Sequence, residues 1–230
     1  MPRIARVVVA GVPHHVTQRG NRREDVFFCD ADRQRFLQMF LEYSQKHGLT
    51  ALAYCLMTNH VHFVCVPRKQ GSLAATFKPV NLRYAQHVNW THELSGRLWQ
   101  GRFYSCALDE RHFWLAMRYV ELNPVRARLC RRPWRYEWSS AAAHTDERAK
   151  SELLDLSDWY GQMSAEAWRK ELIRVLNDAE LAQMRLRTHT GRPLGSDSFL
   201  SKLEARLGRR LRALPPGRPR TGKPHASRGG

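Results

Sequence analysis

The chain has 230 residues, 43% of them hydrophobic, and carries 38 Lys+Arg against 21 Asp+Glu, a formal charge of +17. That length and apolar content suit one substantial core with an appendage and exclude a largely disordered chain. The charge calls for a polyanionic partner, nucleic acid rather than a membrane because there is no long apolar run or lipidation motif; five scattered cysteines without a Cys-x-x-Cys pair exclude a disulfide framework and fit a reducing cytosol.

In chain order, Met1–Ala10 is too short an apolar run for a signal peptide and reads as a first strand. Pro13–Gly20 reads as a strand end turning at Gly20-Asn21, with His15, Thr17 and Arg19 on one face. His14 and His15 read as structural or DNA-facing. Arg19, Arg22 and Arg23 make a basic turn, either a phosphate contact or a solvated loop. A helix opens near Asp30, an N-cap type, runs through Phe36, Leu37, Phe40 and Leu41, and stops at His47-Gly48. Residues 54–66 then read as one strand, stopped by Pro67. On it His60, His62, Val64 and Val66 share a face, and Val61, Phe63 and Cys65 take the other. The two imidazoles leave the strand with Cβ atoms roughly 7 Å apart, a reach from which both can hold one divalent ion. Hydrogen-bonded half-core histidines are the alternative.

A helix follows from Leu73 to about Trp90, interrupted by Pro79, with Lys78, Arg83, Gln86, His87 and Asn89 on its polar side. That side is either a solvated face or a DNA-facing one. Leu98–Leu108 reads as loop and strand, with Trp99 and Phe103 more fitting as core and Arg102 as a DNA contact. Glu110–Val120 is helical by the spacing of Phe113, Met117 and Val120. Tyr119 and Asn123, at i and i+4, share a face, and Pro124 ends the helix near Asn123. In isolation, a core tyrosine with a capping asparagine is the better account of this pair.

Beyond Ser140, residues 141–162 are polar and irregular, and Trp168, Leu172, Val175 and Leu176 form a helical stripe. Thr190–Gly195 is a turn, and Ser196 caps a helix carrying Phe199, Leu200, Leu203, Leu207 and Leu211. This pair of helices is either helix-turn-helix-like or a hairpin packed on the core. The tail is Pro/Gly/Arg-rich, a composition that predicts disorder, and its Gly217-Arg218-Pro219-Arg220 resembles the core of an AT-hook.

Together these stretches resemble the single-tyrosine HUH transposases of the IS200/IS605 class and, within it, the REP-associated tyrosine transposases. The resemblance rests on His60-Val61-His62 and on Tyr119-x-x-x-Asn123-Pro124-Val125. It rests also on Arg19-Gly20-Asn21-Arg22, Leu98-Trp99-Gln100-Gly101-Arg102-Phe103 and Trp138-Ser139-Ser140, all in order between about Val12 and Ser140, with Thr190–Gly195 beyond. It implies an α+β fold, a ferredoxin-like or RRM-like antiparallel sheet with helices, over residues 1–140. A helical, DNA-binding region over 141–213 and a basic tail over 214–230 would follow. It implies Tyr119 as nucleophile and His60, His62 and Asn123 as ligands of a divalent ion, Mg²⁺ or Mn²⁺. Better-known relatives place Gln or Glu where Asn123 stands. Glu121 and His112 are alternatives, although Glu121 points nearly opposite Tyr119 and reads as a solvated or Arg-paired carboxylate.

The implied activity is cleavage and strand transfer of single-stranded DNA at repeat hairpins through a 5′-phosphotyrosine link, by a monomer or homodimer in the bacterial cytoplasm and nucleoid. Arg19, Arg22, Arg23, Arg83, Arg102, Arg218 and Arg220 are the expected DNA contacts. A replication nickase of the same HUH class and a domesticated, binding-only transposase are the rivals. A second catalytic tyrosine would favour the first, and loss of Tyr119 or a histidine the second.

Overall fold

In the computed structural model, which describes residues 6–146, 148, 151–157 and 159–212, the first strand is β1, His14–Arg19. Residues 6–10 form no strand. Val7 and Val9 are buried instead against Leu203 and Leu211, an apolar side cluster that needs no ladder. Helix α1, Asp30–His47, is closed at its start by Asp32 rather than Asp30: the Asp32 carboxylate accepts the N–H groups of Phe28 and Cys29 at 2.8 and 3.2 Å. Gly48, at φ 62°, ends it in the left-handed conformation that glycine tolerates.

The strand expected over 54–66 is a hairpin. Strand β2 is Leu49–Leu56 and β3 is His60–Pro67, with Met57 N donating to His60 O across the turn at 2.9 Å. The turn hides because only Thr58 and Asn59 mark it within a long apolar run. Helix α2, Ser72–Thr91, continues past Pro79 without interruption. The proline removes one backbone donor, and the buried stripe Leu73, Phe77, Val80, Tyr84 and Val88 keeps the helix whole. Strand β4 is Tyr104–Ala107.

Helix α3, Glu110–Glu121, starts from Asp109, whose carboxylate accepts His112 N–H at 3.0 Å. It breaks at Leu122, and the single turn α4, Asn123–Arg126, carries on with Pro124 in its first turn. Then come α5 (Ala141–Thr145), α6 (Trp159–Gln162), α7 (Ala165–Ile173), α8 (Asp178–Thr190) and α9 (Asp197–Leu207). Ser196 caps α9 as its sequence predicts, accepting Phe199 N–H at 3.2 Å.

The sheet is antiparallel in the order β2-β3-β1-β4, so β3 and β1 are central. Val16, Val61, Phe63 and Cys65 face α1 and α2, packing with Phe36, Phe40, Phe77 and Tyr84. Trp99 and Phe103 belong to this core, as expected. The opposite face, with Val64 and Cys106, lies under α3 and meets Met117, Val120, Trp168 and Met184. The later segments close the sheet margins: Ser139 bridges to Cys55, and Leu194 N donates to Ala107 O at 2.8 Å beside β4. The architecture is the α+β antiparallel sheet that the sequence implies. No helix among the described residues is long and apolar enough to cross a membrane.

Candidate functional site

Strand register assembles the site. Arg19 pairs with His60, and Thr17 pairs with His62 on one side and Tyr104 on the other. Because side chains alternate, His15, Thr17 and Arg19 rise from the same face as His60 and His62. Helix α3 crosses this face and lays the Tyr119 ring edge-on to both His62 (ring centroids 5.4 Å) and His15 (5.6 Å). The His60 and His62 rings are 4.9 Å apart. A cavity of about 510 Å³ opens here, lined among others by His62, Tyr119, Arg19, Arg23, Tyr104 and Arg185.

Hydrogen bonds fix both imidazoles of the His-x-His strand. Asn59 Nδ2 donates to Arg23 O at 2.8 Å, which leaves Asn59 Oδ1 as the acceptor for His60 Nδ1–H at 2.6 Å. His60 Nε2 is then the bare nitrogen. His62 Nδ1 meets His15 Nε2 at 2.9 Å, and His15 Nδ1 meets Thr188 Oγ1 of α8 at 2.8 Å. His62 Nε2 is buried and has no hydrogen-bond partner. Burial, with Arg19 and Arg126 nearby, pushes the His60 imidazole down to about 3. Burial takes His15 to about 3 as well. Burial, then His60, His15 and the same two arginines, hold His62 well below the ordinary histidine range. All three rings are therefore neutral near pH 7, the form in which imidazole ligates a cation.

Asn123 is buried, and its Nδ2 donates to the carbonyls of Tyr119 and Val120 at 2.9 and 3.4 Å. Its amide is thereby tied to the Tyr119 helix, with Oδ1 as the remaining acceptor. Cations crowd the tyrosine. Arg126 Cζ lies 4.7 Å and Arg185 Cζ 5.9 Å from the centre of its ring. Burial, and then Arg23, lower the Arg19 pKa.

The basic turn is conformationally unusual: Arg22 and Arg23 have φ of 52° and 68°. Non-glycine residues in that region carry strain, which proteins keep mostly at functional positions. Gly20 cannot be replaced there without a shift, since a Cβ would sit 2.2 Å from Glu24 O. Among the expected DNA contacts, Arg19 and Arg23 line the cavity. Arg22 and Arg102 are exposed beside it in sequence. Arg83 is not brought to it: its guanidinium is 5.5 Å from the Tyr43 ring, in a groove between α1 and α2. Arg218 and Arg220 lie outside the described residues.

Two alternative ligands have other duties. His112 Nδ1 is 2.6 Å from the Asp109 carboxylate at the start of α3. Glu121 is neither solvated nor Arg-paired, contrary to expectation. It is fully buried, its Oε1 accepts from Ser140 Oγ and His144 Nδ1, and its Oε2 accepts from Trp168 Nε1 at 2.8 Å. Three donors from two later segments replace the water that the sequence reading supplied.

The sequence reading also missed His15 as a partner of His62, and Thr188, Arg126 and Arg185. Arg126 lies past the Pro124 helix end that the sequence predicts, so helical spacing did not carry to it. The other three emerge only from strand register and the docking of α8. Among the described residues no group of three or more His, Cys, Asp or Glu could hold a metal. Any ion here would use two neutral imidazoles and oxygen ligands, a sparse set that suits Mn²⁺ better than Mg²⁺. The unpartnered His62 Nε2 fits such an ion.

A search of curated proteins finds no match. Among solved structures, a REP-associated tyrosine transposase bound to a REP hairpin is similar, at 14% identity and a TM-score of 0.55, over 67% of this chain and 92% of that one. A Deinococcus radiodurans protein described as a transposase aligns over 52% of this chain and 96% of its own, at 17% identity and a TM-score of 0.37. The sequence profile of the family described as "Transposase IS200 like" matches residues 8–123, and the chain belongs to that family of transposases.

Proposed function

We propose that the protein is a metal-dependent tyrosine transposase that cleaves and rejoins single-stranded DNA at repeat hairpins, with Tyr119 as nucleophile. The observation that carries this reading is the Tyr119 ring held edge-on to His62, 5.4 Å between centroids, on a cavity lined by arginines. The hairpin-bound relative, whose fold this chain shares, supports the choice of DNA.

His60 and His62 are the ligands of a divalent ion, with Asn123 Oδ1 as the third. When bound, the ion supplies neutralisation and polarisation of a phosphate. Arg19, Arg23, Arg126 and Arg185 neutralise the strand around it and orient it, as guanidinium groups do with phosphates. The Tyr119 hydroxyl attacks phosphorus. A bond forms from its oxygen to phosphorus, the bond from phosphorus to the 3′ oxygen breaks, and the phenolic proton ends on that oxygen through solvent. The 5′ phosphate stays on Tyr119, and the free 3′ hydroxyl can reverse the step on the same or another strand without an external energy source. The helical region over 141–213 adds α8 to the DNA-facing cavity, and the tail over 214–230 adds salt-sensitive affinity. An enzyme of this kind works in the cytoplasm on the bacterial chromosome.

The test is an adduct assay with labelled hairpin single strands in Mn²⁺ or EDTA, resolved on a denaturing gel. A covalent adduct is expected with Mn²⁺ alone, and Tyr119→Phe is expected to lose it while binding the hairpin unchanged. Tight binding with no adduct from the unmutated protein would leave a binding-only protein derived from a transposase.

A further inference from the structure

A file of hydrogen bonds leads from α8 to His62. Thr188 Oγ1 meets His15 Nδ1 at 2.8 Å, and His15 Nε2 meets His62 Nδ1 at 2.9 Å. All three side chains are buried, and the two rings lie within 10° of parallel. A neutral imidazole has one N–H and one bare nitrogen, so the file has a direction. If Thr188 donates, His15 passes an N–H to His62 Nδ1, and the His62 proton sits on Nε2, where no acceptor lies. If Thr188 accepts, both histidines carry their protons on Nδ1, and His62 Nε2 keeps a bare lone pair. Only the second direction makes His62 a ligand.

We propose that Thr188 is a positioning residue of the metal centre: as terminal acceptor of the Thr188–His15–His62 file, it holds His62 in the tautomer whose Nε2 can ligate a divalent cation. The proposal rests on the reading of His60 and His62 as ligands. Asn59 plays the same part for His60 from within the hairpin turn. Thr188 differs because it comes from α8, beyond residues 8–123 that the family profile matches. The C-terminal helices then complete the centre rather than only flank it. Outer partners of ligating histidines commonly govern metal affinity in this way.

The experiment uses the full chain, unmutated and as Thr188→Val, Thr188→Ser and His60→Ala. Mn²⁺ affinity is read by electron paramagnetic resonance, and the His62 tautomer by long-range ¹H–¹⁵N correlation in metal-free and Mg²⁺-loaded protein. Thr188→Val is expected to bind Mn²⁺ about ten-fold more weakly and to shift His62 away from the Nδ1–H form. Thr188→Ser, which keeps the hydroxyl, is expected to match the unmutated protein. Unchanged affinity and tautomer in Thr188→Val overturn the proposal alone. So does an unmutated His62 protonated on Nε2 with Mg²⁺ bound, which needs no variant to fold. If the unmutated protein binds Mn²⁺ no better than His60→Ala, the ligand reading itself fails and takes the proposal with it.

Discussion

Two buried histidine clusters flank α3, and they differ in how they end. On one side both oxygens of Glu121 are met: Oε1 accepts from Ser140 and His144, and Oε2 from Trp168. On the other, Thr188, His15 and His62 form a file that stops at His62 Nε2, a buried nitrogen with nothing to meet. A buried polar atom without a partner is costly, and folds retain one chiefly where something else completes it. The Glu121 cluster anchors α3, and the file carries the site proposed above. Tyr119 and Glu121 sit two residues apart on one helix and so face these different worlds.

The largest effect expected from this contrast is on stability. Glu121→Ala would strand the buried donors of His144 and Trp168, while Ser140 Oγ keeps Tyr54 O as an acceptor, and cost about 3–5 kcal/mol, since each buried donor left without a partner costs about 1–3 kcal/mol and the lost side chain leaves a cavity. Urea denaturation of the metal-free protein measures it. A loss under about 1 kcal/mol would show that the cluster is no anchor and that α3 is held by its apolar contacts.

A smaller effect comes from protons on β1. His15 belongs to the open file, and its neighbour His14 is buried with Nδ1 2.7 Å from Val12 O. Burial pushes His14 down to about 4 and His15 to about 3. Unfolded histidine takes its proton near 6.5, so between these values the unfolded chain binds the extra protons. Their contribution is therefore complete above about pH 6.5 and is lost as pH falls toward 4 and 3. From pH 6.5 to 5 the loss is about 2 kcal/mol for each ring. Denaturation in EDTA across this range, repeated with His14→Gln, reads the His14 share. A flat profile would mean that the rings are solvated in the folded protein.

The local patterns were legible in the sequence, and the partners were not. His60 and His62 show through a period of two, Tyr119 and Asn123 through a helical period, and these need only their own segments. The β2–β3 hairpin was invisible because its turn interrupts the apolar run by two residues. Glu121 could be pointed away from Tyr119 by helical geometry, but its partners lie 19, 23 and 47 residues on. Thr188 and His15 are 173 residues apart. No periodicity spans such distances; they are set when α5 and α7 pack together beside α3 and α8 docks on β1 and β4.

The same contrast predicts which cations matter to DNA. Arg185 stands on the open side, 5.9 Å from the centre of the Tyr119 ring. Arg169 is likewise an exposed arginine, on α7, the helix that carries Trp168 to the closed cluster. Replacing either with Gln removes one positive charge, so the protein's net field changes alike. If binding were set by net charge alone, both variants would weaken it equally. If the strand lies over the open side, only Arg185→Gln loses a phosphate contact, and the slope of log affinity against log salt shrinks by about 0.7, the value for one contact to a single strand. A salt titration of hairpin binding with both variants decides it, and equal slopes would move the strand off the Tyr119 cavity.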